Sequence, residues 1–202
     1  MTRNRCFGTG DPLYEKYHDE EWGHPVEDTP DEKELFERLA LEGFQAGLSW
    51  ITILRKREAF RKAFKGFVPA KVAKFGDLDV ERLMTDPSIV RNRGKITAAI
   101  GNARALQSMH EQGLRLENLF VEYAPPRSAP GQHSPTNPGF TAESTALSKR
   151  LKGLGFRFVG PTTMQATMQA LGIADGHAPH CWLAKGDETA SAAASRHISD
   201  GD

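Results

Sequence analysis

Cysteine is scarce in this 202-residue chain: there are two, Cys6 and Cys181, near opposite ends. That excludes a disulfide-stapled scaffold and leaves either free thiols or metal ligands. Net charge is lacking as well, because 26 Lys and Arg stand against 26 Asp and Glu, so bulk charge selects no class of partner. Long apolar runs are absent; the one at 50–54 stops at Arg55, and nothing approaches the roughly 20 residues that span a bilayer. No apolar segment follows the basic residues of MTRNRCFGTGDP, so a secretory signal is not expected and the protein is placed in the cytoplasm, away from membranes. Sustained polar–apolar alternation is also missing, and the fold class is read as all-α.

What is present is a hydrophobic content of 39%, enough for one substantial core. One domain is expected over 1–186, with a long surface loop over 124–140, where APPRSAPGQHSPTNPGF is rich in Pro, Ser and Gly, and a disordered tail over 187–202. Asp11-Pro12 starts a short helix in which Tyr14, Tyr17 and His18 share a face. Acidic residues after Pro30 begin a helix over about 31–42, and Ser49 is the expected N-cap of the next, with Trp50, Ile53, Leu54, Phe60 and Phe64 as its apolar stripe. Short helices are expected from Pro69 to about 75 and from Asp77 or Asp79 through 84. Ile96, Ile100, Ala103 and Leu106 line a long helix over about 94–112, terminated by Gly113. Thr141 caps a helix to about 152, and a last helix runs over about 162–171.

The stretch LEGFQAGLSW at 41–50 puts a carboxylate, Glu42, where a core residue belongs. At a helical period Leu35, Leu39, Ala46 and Ile53 fall in one narrow arc with Glu42 inside it. A carboxylate so placed must be hydrogen-bonded, paired or raised in pKa. Gly43 and Gly47 either admit a close approach or break the helix in two. A structural carboxylate and a functional one are equally compatible with this stretch alone. Tyr14, Tyr17, Trp22, Phe44 and Trp50 surround it in sequence; flat rings plus one carboxylate suit a nucleobase, although most aromatics are core.

Two further constellations carry chemistry. Cys6, His18, His177 and Cys181 form a complete donor set for tetrahedral zinc, with His24 and His180 as competing ligands and buried thiols as the alternative. Gly155 to Gly160, between two helices, frees backbone amides beside the hydroxyls of Thr162 and Thr163 and suits one phosphate, or is a tight turn and nothing more. Base recurs around Arg91, Arg93 and Lys95 and around Lys149, Arg150, Lys152 and Arg157; both patches suit phosphates or solvent.

The blocks DPLYEKYHDEEWG, LEGFQAGLSWITILRKRE, IVRNRGKITAAIGNARA and LSKRLKGLGFRFVGPTTMQATMQALG resemble the 3-methyladenine DNA glycosylase I family, the bacterial Tag type, from Cys6 to about Trp182. The resemblance implies the helix-hairpin-helix glycosylase fold, with one structural zinc ion held by Cys6, His18, His177 and Cys181 joining the N- and C-terminal segments. It implies Glu42 as the catalytic carboxylate with Tyr17 and Trp50 at the base, and Trp22, from the aromatic group above, is expected to join them. Contacts to DNA are expected from Gly155, Arg157, Gly160, Thr162, Arg93 and Lys95. The expected partner is alkylated double-stranded DNA, the expected reaction monofunctional excision of 3-methyladenine in base excision repair, and the expected state a monomer with no obligate protein partner. Two departures stand out. The family's pattern has a Trp two residues after the first zinc Cys, where this chain has Gly8 after Phe7. Asp175 resembles the catalytic Asp that many members of the wider superfamily carry beyond the hairpin, and stands as second candidate to Glu42; its place two residues before His177 also suits a metal-loop or capping role. A zinc-stabilised DNA-binding module and a zinc hydrolase are the alternatives. An inward Glu42 counts against the first, four protein ligands against the second.

Overall fold

The computed structural model describes residues 3–24, 31–126 and 139–184, so the expected tail and most of the expected long loop lie outside the described residues. Among those described there are helices and no strand: α1 (Pro12–Glu20), α2 (Glu32–Gln45), α3 (Trp50–Ala63), a 3-10 turn (Lys65–Phe67), α4 (Pro69–Val72), α5 (Asp77–Thr85), α6 (Arg93–Glu111), α7 (Leu116–Glu122), α8 (Ala142–Gly153) and α9 (Pro161–Ala170). None is long and apolar enough to cross a membrane.

Local chemistry sets most boundaries. Asp11 caps α1 by accepting from the amides of Leu13 and Tyr14 at 3.1 and 3.2 Å, Asn92 caps α6 through the Lys95 amide at 3.0 Å, and Thr141 caps α8 through the Ser144 amide at 3.3 Å. Gly113 ends α6 at φ +73°, followed by a Leu114 amide bonded back to Met109 O at 2.9 Å. Ser49 precedes α3 as expected but makes no cap bond to a backbone amide; its hydroxyl pairs with that of Thr52 at 2.8 Å. Helix α4 is shorter than expected, ending at Val72, and α7 has no counterpart among the expected elements.

Helix α2 is the centre of the fold, packed against α3, α6, α7 and α9. Ten consecutive residues, from Leu35 to Phe44, are buried, so no face of this segment is left to water and its polar side chains need partners. The arc expected from the sequence is corrected in part. Leu35, Leu39 and Glu42 do point inward, but α2 stops at Gln45, Ala46 is exposed, and Ile53 is buried from a different helix. The two glycines divide the expected roles: Gly47, at φ +81°, turns the chain between α2 and α3, whereas Gly43 admits Phe158, whose Cβ lies 3.4 Å from where a Gly43 Cβ would be.

The turn between α8 and α9 is held from the side. Asn102 of α6, 3% exposed, accepts from Arg157 N at 2.8 Å and donates to Arg157 O at 3.0 Å, while Ser148 donates to Val159 O at 2.6 Å. These bonds support Phe158 at φ +56°, an unfavourable backbone for a bulky residue, and fix the turn against α2.

Candidate active site and metal centre

A cavity with about 390 Å³ of empty space opens beside the C-terminal half of α2, lined by Phe7, Tyr14, Tyr17, Trp22, Glu42, Gln45, Trp50, Ala166 and Gln169. Its walls come from α1, α2, α3, α9 and the segment before α1. Six of the nine lining residues are aromatic or aliphatic, which suits a small flat ligand with few polar anchors.

Glu42 is the acidic anchor. It is 5% exposed, and burial pushes its carboxyl up to about 8, against the lowering influence of Arg38. No described residue donates a hydrogen bond to it, so its lone pairs are available to whatever fills the cavity. Tyr17 is buried against Trp50, with ring centroids 5.4 Å apart and planes inclined by 39°. Burial raises its phenol well above the usual range, leaving a neutral hydroxyl. Arg38, one turn before Glu42 and 6% exposed, donates to Tyr17 Oη at 3.3 Å and is paired with Glu21, which also accepts from Arg57 at 2.5 Å. The Trp50 indole N–H is buried and has no protein partner.

Cys6, His18, His177 and Cys181 meet next to this cavity, their ligand atoms within 4.8 Å of one another. Cys181 Sγ lies 3.3 Å from His18 Nε2 and 3.6 Å from His177 Nδ1, and Cys6 Sγ lies 3.6 Å from the same His177 nitrogen. Sulfur and nitrogen ligands of a tetrahedral zinc stand roughly 3.5 Å apart, from bond lengths of about 2.3 and 2.0–2.1 Å, so the donor set fits. His18 Nδ1 is held at 2.9 Å by Asp19, which also accepts from Arg5 Nε at 2.9 Å and Nη2 at 2.7 Å and from Trp182 Nε1 at 3.1 Å; such outer bonds orient a ligating imidazole. Burial, and then the facing Cys181, push the Cys6 thiol up to about 12. A bound cation would offset that and hold the ligating sulfur as thiolate. His24 is spent elsewhere, its Nε2 2.9 Å from Asp19 O, and His180 is outside the cluster.

The metal cluster and the cavity share Trp22. Its indole is stacked on His18 at 5.9 Å, edge-on to His177 at 4.8 Å, and edge-on to Phe7 at 4.9 Å. Gly176 makes room for it, since a Cβ there would be 2.8 Å from Trp22 Cζ2; at Gly23 a Cβ would be 2.7 Å from His177 Nε2.

The methyladenine glycosylase family model matches residues 7–184. The chain is 47% identical over 181 residues to DNA-3-methyladenine glycosylase 1 of Escherichia coli (strain K12), covering 88% of this chain and 95% of that one. Its fold superposes on a crystal structure of 3-methyladenine DNA glycosylase I (TAG) with a TM-score of 0.82 at 43% identity, over 89% of this chain and 99% of the other. A variant of 3-methyladenine DNA glycosylase I (TAG) in complex with 3-methyladenine matches with a TM-score of 0.78 at 39% identity, over 89% and 95%. This chain belongs to the methyladenine glycosylase family.

Several residues of the family pattern therefore have a definite place. Glu42, Tyr17, Trp50 and Trp22 are brought together in one cavity, and the four Cys and His residues in one cluster. Phe44 is not in the cavity; it packs on Phe60 with centroids 4.6 Å apart. At Gly8, the position where the resemblance led to the expectation of a Trp, φ is +88° and Tyr14 backbone lies 3.0 Å from a would-be Cβ, while Phe7 lines the cavity. Asp175 is exposed, outside the cavity, and accepts from His177 N at 3.0 Å, in the ligand loop. Among the residues expected on DNA, Gly155, Arg157 and Thr162 are exposed around the α8–α9 turn, with Gly160 at the N-cap of α9. Arg93 is exposed and paired with Glu81 at 2.8 and 3.0 Å. Lys95 is a correction: it is 9% exposed, and its Nζ donates to Phe44 O at 2.8 Å and Ala46 O at 2.5 Å. That charge caps the C-terminus of α2 and does not face a phosphate. Phe7, Gln45, Gln169 and Arg38 were missed. For Arg38 a signal existed, since it stands at i−4 to Glu42 on the same helix.

Proposed function

We propose that this protein everts 3-methyladenine from alkylated double-stranded DNA and excises it by hydrolysis, leaving an abasic site and both strands unbroken, the entry point of base excision repair. The observation that carries this reading is Glu42: a carboxylate 5% exposed, inside an aromatic cavity, to which no described residue donates a hydrogen bond. A protein that only held DNA would gain nothing from that arrangement.

Methylation of an adenine ring nitrogen leaves the base cationic, so its glycosidic bond is already weakened and recognition can do much of the work. Eversion is favoured at a damaged, poorly stacked base. Trp50 presents its face to it, with cation–π attraction favouring the charged adduct. The cation draws Glu42 into its ionised form, the opposite of what the empty cavity does. Ionised Glu42 accepts from the exocyclic amine and stabilises positive charge on base and sugar as the bond breaks. Tyr17, already accepting from Arg38, keeps its hydroxyl hydrogen for a ring nitrogen. One acceptor and one donor match the exocyclic amine and N1 of adenine on its Watson–Crick edge and mismatch the O6 acceptor and N1–H donor of guanine. Water then takes the anomeric carbon; none of the described lining residues is a lysine, which supports a monofunctional reaction. Leu48, 41% exposed between Gly47 and α3, has the shape to fill the vacated stack.

The backbone of the α8–α9 turn, the amides at the start of α9, Thr162 and Arg157 supply the phosphate contacts, and Arg93 adds another once released from Glu81. One structural zinc on Cys6, His18, His177 and Cys181 completes the reading. With all four positions filled by protein, its role is to hold the chain ends and Trp22 in place.

The test is chromatographic. Purified zinc-loaded protein is incubated with methylated duplex DNA and the free bases are identified. Release of 3-methyladenine without 7-methylguanine, with strands intact until alkali, is expected. No release by folded protein would overturn the proposal in favour of a DNA-binding module.

A further inference from the structure

Arg38 does not line the cavity and enters the chemistry outlined above only through Tyr17, yet it is a fully engaged cation in the wall behind the cavity. Its Nη1 donates to Tyr17 Oη at 3.3 Å, its Cζ lies 5.7 Å from the Tyr17 ring centroid, and its Nη2 is paired with Glu21. Glu21 is in turn fixed by Arg57 of α3 at 2.5 Å. The guanidinium is thus held in one orientation from α3 through Glu21, and it reaches two polar groups of the cavity: Tyr17 by a hydrogen bond, Glu42 by charge.

We propose that Arg38 is a specificity-determining positioning residue, which by donating to Tyr17 Oη obliges the hydroxyl to act as a hydrogen-bond donor towards the base, so that the cavity selects adenine adducts over guanine adducts. The inference rests on the glycosylase reading above. A phenol can give its hydrogen or accept one. Without Arg38, Tyr17 could accept as well as donate, and a protonated Glu42 could turn its own hydrogen towards a base oxygen. Both changes relax the discrimination against guanine. Arg38 opposes both, the first by its hydrogen bond and the second by favouring the carboxylate.

The other groups around Glu42 do not duplicate this role. Tyr14 and Tyr17 of α1 are neutral, Glu21 and Arg57 are paired with each other and with Arg38, and Lys95 of α6 is committed to Phe44 O and Ala46 O. Helix α9 contributes Ala166 and Gln169 to the lining, and α7 and the Lys65–Phe67 turn contribute nothing to it.

Two variants of the zinc-loaded protein separate hydrogen bond from charge: Arg38→Met keeps an unbranched side chain without either, and Arg38→Lys keeps the charge but not the fork that serves Tyr17 and Glu21 together. The readouts are the ratio of kcat/KM for 3-methyladenine over 3-methylguanine release and the acid limb of kcat/KM for 3-methyladenine, which reports the free enzyme. Both variants are expected to lose selectivity by roughly tenfold. Only Arg38→Met is expected to move the acid limb upward, by on the order of one pH unit. Unchanged selectivity in Arg38→Lys overturns the inference even if Arg38→Met does not fold, as does an unchanged ratio and acid limb in a folded Arg38→Met. Tyr17→Phe in the Arg38→Lys background should add no further loss of selectivity; an additive loss also overturns it. If the unmodified protein releases neither base, it is the glycosylase reading that fails.

Discussion

Replacing Glu42 with Gln should stabilise the protein, and by an amount that grows with pH. Burial raises the folded-state carboxyl to about 8 from an ordinary value of 4.5. A group raised in this way favours the folded state while protonated; that contribution is complete below 4.5 and is lost as pH rises through about 8, where the buried carboxylate must ionise. Linkage between those two values makes the ionised-state penalty ~2 kcal/mol at pH 6, ~3 kcal/mol at pH 7 and ~4 kcal/mol at pH 8. The neutral amide of the Glu42→Gln variant would carry none of it while keeping the shape of the side chain. In a chain of this length 1 kcal/mol moves Tm by about 2–4 °C, so Glu42→Gln should melt about 6–12 °C above the parent at pH 7. The gap should widen by about 4–8 °C between pH 6 and pH 8. Scanning calorimetry of both zinc-loaded proteins across that range measures it, and the same samples should show excision of 3-methyladenine lost in the variant. A gap that stays constant with pH, or a variant less stable than the parent at pH 8, would refute the reasoning, because it would mean that Glu42 is satisfied in the free protein and not held in reserve for a ligand.

The remaining predictions concern neighbours of the site. Gly176→Ala puts a methyl 2.8 Å from Trp22 and 3.1 Å from Gln169, so kcat/KM should fall roughly 10- to 100-fold with helical circular dichroism unchanged; full activity would show that Trp22 does not shape the cavity. Metal analysis should find one equivalent of zinc in the parent and less in Cys181→Ser, which should also have a lower Tm and reduced excision through the His18 and His177 rings that support Trp22. Lys95→Met should cost about 1–3 kcal/mol in urea denaturation by stranding the Phe44 and Ala46 carbonyls, whereas Arg157→Ala should leave stability alone and reduce the salt slope of DNA binding by about 1. Equal salt slopes in the two variants would contradict this division.

Local chemistry was legible in the sequence because it is local. Asp11 and Thr141 cap helices through amides two or three residues away, Gly113 stops α6 by its own φ, and the stripe Ile96, Ile100, Ala103, Leu106 needs only a period of 3.6 to declare its buried face. The inward direction of Glu42 was legible for the same reason, from Leu35 and Leu39 on the same helix. Even there the arc overran the helix, because whether Gly43 or Gly47 ends it depends on what approaches each: Phe158 packs on the first, and nothing on the second.

Tertiary structure alone decided which polar residues were spent inside and which were left for a ligand. Lys95 and Arg93 are two residues apart in a basic run, yet one caps α2 from the neighbouring helix and the other faces solvent with Glu81. Arg38 is enclosed with the rest of a run of ten consecutive buried positions of α2, which its charge gives no hint of. Phe7 became a wall of the cavity because the chain before α1 folds over Trp22. The sequence by itself determined the helices and the chemical kinds of side chain available, including four metal donors. Their convergence within 4.8 Å across 175 positions of chain, from Cys6 to Cys181, is a property of packing: buried charges and donors acquire partners only when distant segments meet, and no spacing along the chain encodes that meeting.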